Sequence, residues 1–452
     1  MRKLILIGLV QVLLVLAGCG GSSGSIATST RGSGSGGGGG SGSGATGPNV
    51  VAMTVNAGPD GNQVDTPYIT VTVCQHGSTT NCQQIPNVEV DTGSYGLRVI
   101  SSVLNSSLAT GLTQEADSSG NSIVECTTFV DGFSWGPVKV ADVKIGEESA
   151  SSVPVQVIGD PAYEQTSTAN GTTTSEIPTL CSGSTTGPEE DTVSSFGANG
   201  ILGVGPFGDD CGTGCQISSS NQLYYECPAS SWSPGNPCNG AAVAESAQVT
   251  NPVVYFQTDN NGVIVQLPAI GSSGTAASAS GSLIFGIGTE GNNGLGSATV
   301  FPGSQNTGDV TTSFNGQTLP DSYFDTGSNA YYFLDSSIPD CTSSGSSSSS
   351  WFCPASQQTL TAVIAGTGGS PTSQVTIYVG NATSLFNSYP SNAAFNNLGA
   401  DSGNQSSYCT QIGASSGPCS FDFGLPFFFG RSLYVAIGGK STSGGEGPYF
   451  AY

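Results

Sequence analysis

Apolar and polar positions alternate in short runs along most of this chain, with β-branched and aromatic residues on the apolar beats. The runs "YITVTVC" from Tyr68, "VKVADVKIG" from Val138, "VPVQVIG" from Val153 and "PVVYFQ" from Pro252 each fit a strand. So do "GVIVQL" from Gly262, "GSLIFGIG" from Gly281, "QVTIYVG" from Gln374 and "SLYVAI" from Ser432. Clusters of Gly, Pro, Asn and Ser bound them, the punctuation of an all-β sandwich or barrel. Helical spacing is scarce. Ser102–Leu112 ("SVLNSSLATGL") and Gln357–Gly366 ("QQTLTAVIAG") are the two stretches that fit a short helix.

The N-terminus departs from this pattern. Arg2 and Lys3 precede an apolar run from Leu4 to Leu16, too short to span a bilayer as a mature helix and followed by Leu-Ala-Gly-Cys. Small residues before Cys19 resemble a bacterial lipobox, in which Cys19 becomes the lipidated first residue; an ordinary signal peptide is the alternative. Residues 1–18 are thus expected to be a lipoprotein signal peptide, and residues 19–48 a lipidated cysteine with a Gly/Ser-rich tether. That tether has nothing to bury, and its span is on the order of 30 Å. The expectation is an exported protein with its lipid in the bacterial envelope. Gly20 is not the aspartate of the common inner-membrane retention signal, so the outer membrane is the default.

Composition removes several function classes. With 31 acidic against 8 basic Lys and Arg residues and a net charge of −23, the chain lacks the cationic clusters that phosphate contacts require. No nucleic acid is expected as a partner. Thirteen cysteines less Cys19 leave an even set, which reads as disulfides in an exported chain. Cys74–Cys82, Cys341–Cys353 and Cys409–Cys419 flank short turn-like segments and are the expected short-loop pairs. With one histidine, His76, and no paired Cys-x-x-Cys units, no metal site and no cofactor are expected. His76 reads as an exposed loop residue. The acidic run Gly187–Asp191 ("GPEED") reads as a solvated loop, with calcium binding as the alternative.

The chemistry sits in a string that occurs twice. "NVEVDTGSYG" contains Asp91, Thr92, Gly93 and Ser94, and "DSYFDTGSNA" contains Asp325, Thr326, Gly327 and Ser328. Each follows an apolar residue at the end of a strand-like run. The aspartate supplies a carboxylate, the threonine a hydroxyl that can reach a facing loop, the glycine a tight turn and the serine support for the carboxylate. Two such loops face to face bring two carboxylates together, and a pair that close holds one proton between them.

At this point the chain resembles the pepsin-like aspartic peptidases, in the wider retropepsin and pepsin superfamily, over most of residues 49–452. After the first Asp-Thr-Gly-Ser, "FVDGFSWGPVKVADVKIG" matches that family's flap hairpin at Phe129, Gly132, Gly136 and Asp142–Gly146. "NGILGVG" at Asn199–Gly205 matches its apolar-apolar-Gly signature, and "FDFGLPFFFGRSLYVAI" its late Leu-Gly-Asp-x-Phe stretch. In particular it looks like an uncharacterised bacterial lipoprotein branch, of the domain-of-unknown-function type.

The resemblance implies a bilobal all-β fold with a cleft between two barrel-like lobes, residues 49–285 and 286–452. It implies Asp91 and Asp325 as the catalytic pair, with Thr92, Gly93, Ser94, Thr326, Gly327 and Ser328 supporting them. Phe129, Gly132 and Trp135 would form the flap and touch a peptide or protein substrate. Both aspartates lie in one chain, so a monomer suffices.

Three positions depart from the family pattern: Phe129 where tyrosine is usual, Arg98 where tryptophan anchors that tyrosine, and Leu425 where an aspartate is common. Asp422 also interrupts the second apolar-apolar-Gly pattern, for which a shifted match at "FFFG" is the alternative. Two functions follow: an acid-active endopeptidase, or a catalytically silent lipoprotein of the same fold that binds a peptide or other ligand in its cleft.

Overall fold

The computed structural model describes residues 45–129, 132–163, 166–169, 172–175, 177–179, 181–183, 187–228, 238–341, 351–402 and 420–452. Cys19, the signal and tether segments up to residue 44, and the expected Cys409–Cys419 pair lie outside these residues. Strands account for 44% of the described residues and helices for 10%, so the fold is all-β.

Six strands close into a barrel in the first half. Pro67–Gln75 pairs with Cys82–Asp91, which lies parallel to Gly200–Val204; that strand runs antiparallel to Tyr95–Ile100. Tyr95–Ile100 then pairs with Glu148–Ile158, which pairs with Phe133–Ile145, and this returns to Pro67–Gln75 to close the ring. The inward beats of the alternation, including Val71, Val73, Val88, Val90, Leu97, Val143 and Val155, fill the interior and are at most 2% exposed.

Seven strands form a second, nearly closed barrel. Its centre repeats the first barrel's arrangement: Asp422–Phe423 lies parallel to Gln317–Phe324 and antiparallel to Tyr331–Phe333. In each half, a strand from much later in the chain is inserted between the strands on either side of an Asp-Thr-Gly-Ser loop. The second core is aromatic, with Phe333 stacked on Phe421 at 4.8 Å, Phe421 on Phe423 at 4.5 Å and Phe423 on Phe324 at 5.2 Å. A further run of paired strands, Val50–Val55, Ala279–Phe285, Gly262–Gln266, Ser432–Ala436, Tyr449–Ala451 and Val300–Pro302, combines segments from both halves of the chain.

Two sequence expectations fail locally. "PVVYFQ" forms a 3-10 turn, Pro252–Tyr255, rather than a strand. Asn251 caps it by accepting from the Val253 N–H, and Pro252 is pre-set for a first helical position, so capping overrides a β-branched run. "QQTLTAVIAG" is a strand, Gln358–Ala365, paired along eight residues with Thr372–Val379. Its Thr, Val and Ile residues favour the pleated surface, and the eight-residue pairing outweighs a helix start at Ser356. The other stretch does form a helix, Ser106–Gly111, capped by Asn105.

Among the described residues five disulfides are present: Cys74–Cys82, Cys126–Cys181, Cys211–Cys215, Cys227–Cys238 and Cys341–Cys353. The first and last are short-loop pairs expected from spacing. Each bond is worth roughly 2–4 kcal/mol by restricting the unfolded chain. Thiol titration of unfolded, unreduced protein should detect none of these ten sulfurs, and full reduction should lower the melting temperature markedly. Several free thiols in the unreduced protein would contradict the pairing.

Candidate active site

The two Asp-Thr-Gly-Ser loops meet between the barrels, and their hydrogen bonds are reciprocal. The Thr92 N–H donates to Thr326 Oγ1 at 3.0 Å, and the Thr326 N–H donates to Thr92 Oγ1 at 3.0 Å. Each hydroxyl then donates onward, Thr92 to the Phe324 carbonyl at 2.9 Å and Thr326 to the Val90 carbonyl at 2.6 Å. Each loop therefore fixes the strand end that carries the other's aspartate. All of these groups are buried, so a lost partner leaves an orphan. Thr326→Val should cost about 1–3 kcal/mol, because the Thr92 N–H and the Val90 carbonyl both lose partners while the shape is kept. Equilibrium denaturation checks this, and an unchanged midpoint would refute the linkage.

The carboxylates are held alike. Asp91 Oδ1 accepts from the Gly93 N–H at 2.7 Å, and Asp325 Oδ1 from the Gly327 N–H at 2.8 Å. The Ser328 hydroxyl donates to Asp325 Oδ2 at 2.8 Å, and the Ser94 hydroxyl donates to Asp91 Oδ2. Both carboxyls open onto one small space, since a single point at the place of a Gly327 Cβ lies within 2.8 Å of Asp91 Oδ1 and 3.2 Å of Asp325 Oδ1. A Cβ on Gly93 would sit 2.7 Å from the Asp325 carboxyl carbon, and one on Gly327 would sit 2.8 Å from Asp91 Oδ1. Only glycine lets each loop's backbone approach the opposite aspartate this closely.

Burial pushes the Asp325 carboxyl well above the usual carboxylate range, and the negative charges of Asp91 and Asp422 push it the same way. Burial and mutual repulsion therefore favour keeping one proton on the pair as pH rises. The arrangement can hold one proton between two buried carboxyls on a preorganised support.

A hairpin forms at the expected place in the sequence. Ser122–Thr128 pairs antiparallel with Phe133–Ile145 in the register Thr128↔Phe133, and the Phe129 N–H donates to the Gly132 carbonyl at 2.8 Å. Phe129 is 3% exposed and packs edge-on to Phe196, with ring centroids 5.7 Å apart, in a cluster with Tyr68, Ile100, Ile158 and Ile201. Gly132 is needed for close approach, since a Cβ there would lie 2.5 Å from the Pro188 carbonyl oxygen. Trp135 is wholly buried rather than exposed for ligand contact. Its indole N–H donates to the Tyr163 carbonyl at 3.1 Å, and its ring meets Tyr225 edge-on at 5.3 Å. Its contribution to the hairpin is support from behind.

The family described as a protein of unknown function, DUF3443, matches residues 45–452. The chain belongs to this family. No curated protein matches it in sequence.

In this DUF3443 protein, Arg98 is the centre of a buried ionic cluster. Its guanidinium is bidentate to Glu125, Nη2 to Oε1 at 2.6 Å and Nε to Oε2 at 3.1 Å, and Nη2 also reaches Asp210 Oδ2 at 3.1 Å. Nε also donates to Thr127 Oγ1 at 2.9 Å and Nη1 to the Tyr95 carbonyl at 2.7 Å. Tyr224 contacts both Asp210 oxygens, at 2.8 and 2.9 Å. Glu125 and Thr127 lie on the hairpin's first strand, so the cluster fastens the hairpin to the strand that follows Asp91. Sequence reading noted Arg98 as a departure but did not foresee its partners.

The remaining candidates separate cleanly. His76 is an exposed side chain whose Nδ1 lies 2.9 Å from Asp142 Oδ1, and it is far in register from the dyad loops. "GPEED" is solvated in part: Gly187 and Pro188 are exposed, Glu189 and Asp191 half-buried and Glu190 buried. The Phe133 N–H donates to the Pro188 carbonyl at 3.0 Å, the Glu190 N–H donates to the Phe133 carbonyl at 2.7 Å, and Glu190 is 2% exposed. Edge pairing with the hairpin strand draws this run inward. Among the described residues no group of three or more His, Cys, Asp or Glu side chains is arranged to hold a metal ion. Asp422, not the "FFFG" segment, occupies the strand beside the second loop, and Leu425–Phe427 is a 3-10 turn.

Proposed function

We propose that this DUF3443 protein is a pepsin-like aspartic endopeptidase acting through Asp91 and Asp325 and held at the bacterial envelope by lipid on Cys19. The observation that carries this reading is the reciprocal threonine bonding that turns two buried carboxyls onto one small space. In the proposed cycle Asp91 accepts a proton from water while Asp325 donates its proton to the scissile carbonyl oxygen. The water oxygen bonds to the carbonyl carbon and gives a tetrahedral diol. Collapse of the diol breaks the C–N bond as the departing amine takes the proton from Asp91 and one diol hydroxyl returns its proton to Asp325, which restores the singly protonated pair. Every described residue this requires comes from one chain, and no metal or cofactor is invoked. Among the described residues no helix is long and apolar enough to cross a membrane.

The second reading is a cleft that binds a peptide or other ligand without turnover. It draws support from Phe129, which is packed into an apolar cluster instead of standing free. One assay separates the two: purified full-length protein incubated with a diverse peptide library between pH 2 and 7. Cleavage in acid that a statine-type transition-state mimic blocks supports the peptidase. Peptide capture with no product at any pH supports the binding protein.

A further inference from the structure

A third buried acid stands beside the dyad and takes no part in the scheme above. Asp422 is 1% exposed, and its strand runs parallel to the strand that ends at Asp325, with the Asp325 N–H donating to the Phe423 carbonyl at 3.1 Å. Its carboxyl oxygens make no full hydrogen bond. The polar group beside it is the Ser328 hydroxyl, the same hydroxyl that donates to Asp325 at 2.8 Å. In the matching place of the first half stands Ile201, which pairs with Glu89 as Asp422 pairs with Tyr323. An apolar residue therefore suffices for the strand geometry, and the acid is not required by packing.

The groups facing Asp422 are Asp325 and Asp91 from the loops, Tyr323 from the strand Gln317–Phe324 and Tyr332 from the strand Tyr331–Phe333. Among the described residues the ion pairs are His76–Asp142, Arg98 with Glu125 and Asp210, and Lys139–Asp160, so none neutralises this centre. Three carboxyls share one low-dielectric site without a cation. Ionising one must hold protons on the others.

We propose that Asp422 is a positioning residue that acts through Ser328 on Asp325, the three buried acids sharing protons so that the dyad keeps its own to higher pH. This rests on the peptidase reading and deepens it: the third acid would extend cleavage toward neutral pH. Burial raises the Asp422 carboxyl as well, with the charge of Asp91 adding to it, in keeping with one group of acids titrating together.

The test compares wild type with Asp422→Asn and Asp422→Leu in the full-length protein. If the sharing matters, both variants move the alkaline limb of kcat/KM toward acid by about one pH unit, a roughly tenfold loss at a fixed pH on that limb. If Asp422 serves only packing or hydrogen bonding, asparagine keeps the wild-type limb and leucine lowers activity equally at every pH. That result overturns the proposal.

A second readout needs no turnover: the pH dependence of thermal unfolding for wild type, Asp325→Asn, Asp422→Asn and the double variant. Raised carboxyls in the folded state give stability that is full below their unfolded pKa and lost as pH rises through the folded one. Coupled acids make the double variant's pH slope differ from the sum of the single changes. Strict additivity overturns the proposal even if no peptide is ever cut, whereas non-additivity without cleavage removes only the peptidase reading.

Discussion

Asp91→Asn and Asp325→Asn should each reduce peptide cleavage by about 10⁴-fold, the upper range for losing a group that moves a proton in the transition state. Asparagine keeps the planar shape and an acceptor oxygen, so the Gly93 and Gly327 N–H groups retain partners. It cannot cycle a proton. The folded state should survive either change, and for Asp325 the sign can be worked out. Its folded pKa is raised by burial and by Asp91 and Asp422, so wild-type stability from this group is complete below the unfolded pKa and lost as pH rises through the folded value. Asp325→Asn abolishes that loss and should be no less stable than wild type at neutral pH. Wild-type cleavage should be strongest in acid and fade as the shared proton leaves. The measurement is kcat/KM against pH beside thermal unfolding of the same samples. Full cleavage by either variant would remove the dyad from the mechanism.

How much of this was readable beforehand depended on the range of the interactions involved. Strands such as Tyr68–Cys74 and Val153–Ile158 were legible because a period of two in apolar residues is a local property. Pro252–Tyr255 was misread because one capping asparagine and one proline outweighed four β-favouring side chains. The dyad loops were legible because each of their four residues has a chemical reason to be there. The strands inserted beside them were half legible: Gly200–Val204 kept its apolar pattern, while Asp422 broke it and gained meaning only from its parallel register with Tyr323 and Phe324. The Arg98 cluster lay beyond reach. Glu125 and Asp210 are 27 and 112 residues away in sequence, and nothing in either local stretch advertises a partner.

That cluster gives the largest expected effect on stability. One guanidinium, 2% exposed, serves two buried carboxyls, Glu125 and Asp210. Removing it strands both acids in a low-dielectric site, so Arg98→Ala should cost about 3–5 kcal/mol. The pH dependence follows from Asp210. Burial and the neighbouring Glu125 raise its carboxyl well above the usual range, while Arg98 and Tyr224 pull the other way. Its contribution to stability is therefore present below the unfolded pKa and lost as pH rises through the folded one. Taking Arg98 away removes a downward pull, so the variant should weaken more steeply than wild type between acid and neutral pH. An apolar triple replacement, Arg98→Met, Glu125→Leu and Asp210→Leu, should recover most of the loss, because no uncompensated charge remains. Glu125 sits on the first strand of the hairpin, so hydrogen exchange at Ser122–Thr128 should quicken in Arg98→Ala before the rest of the barrel responds. Denaturation at pH 4 and pH 7 decides the matter: a variant as stable as wild type at both would show that the arginine is a tolerated passenger, not the clamp that ties the hairpin to the strand following Asp91.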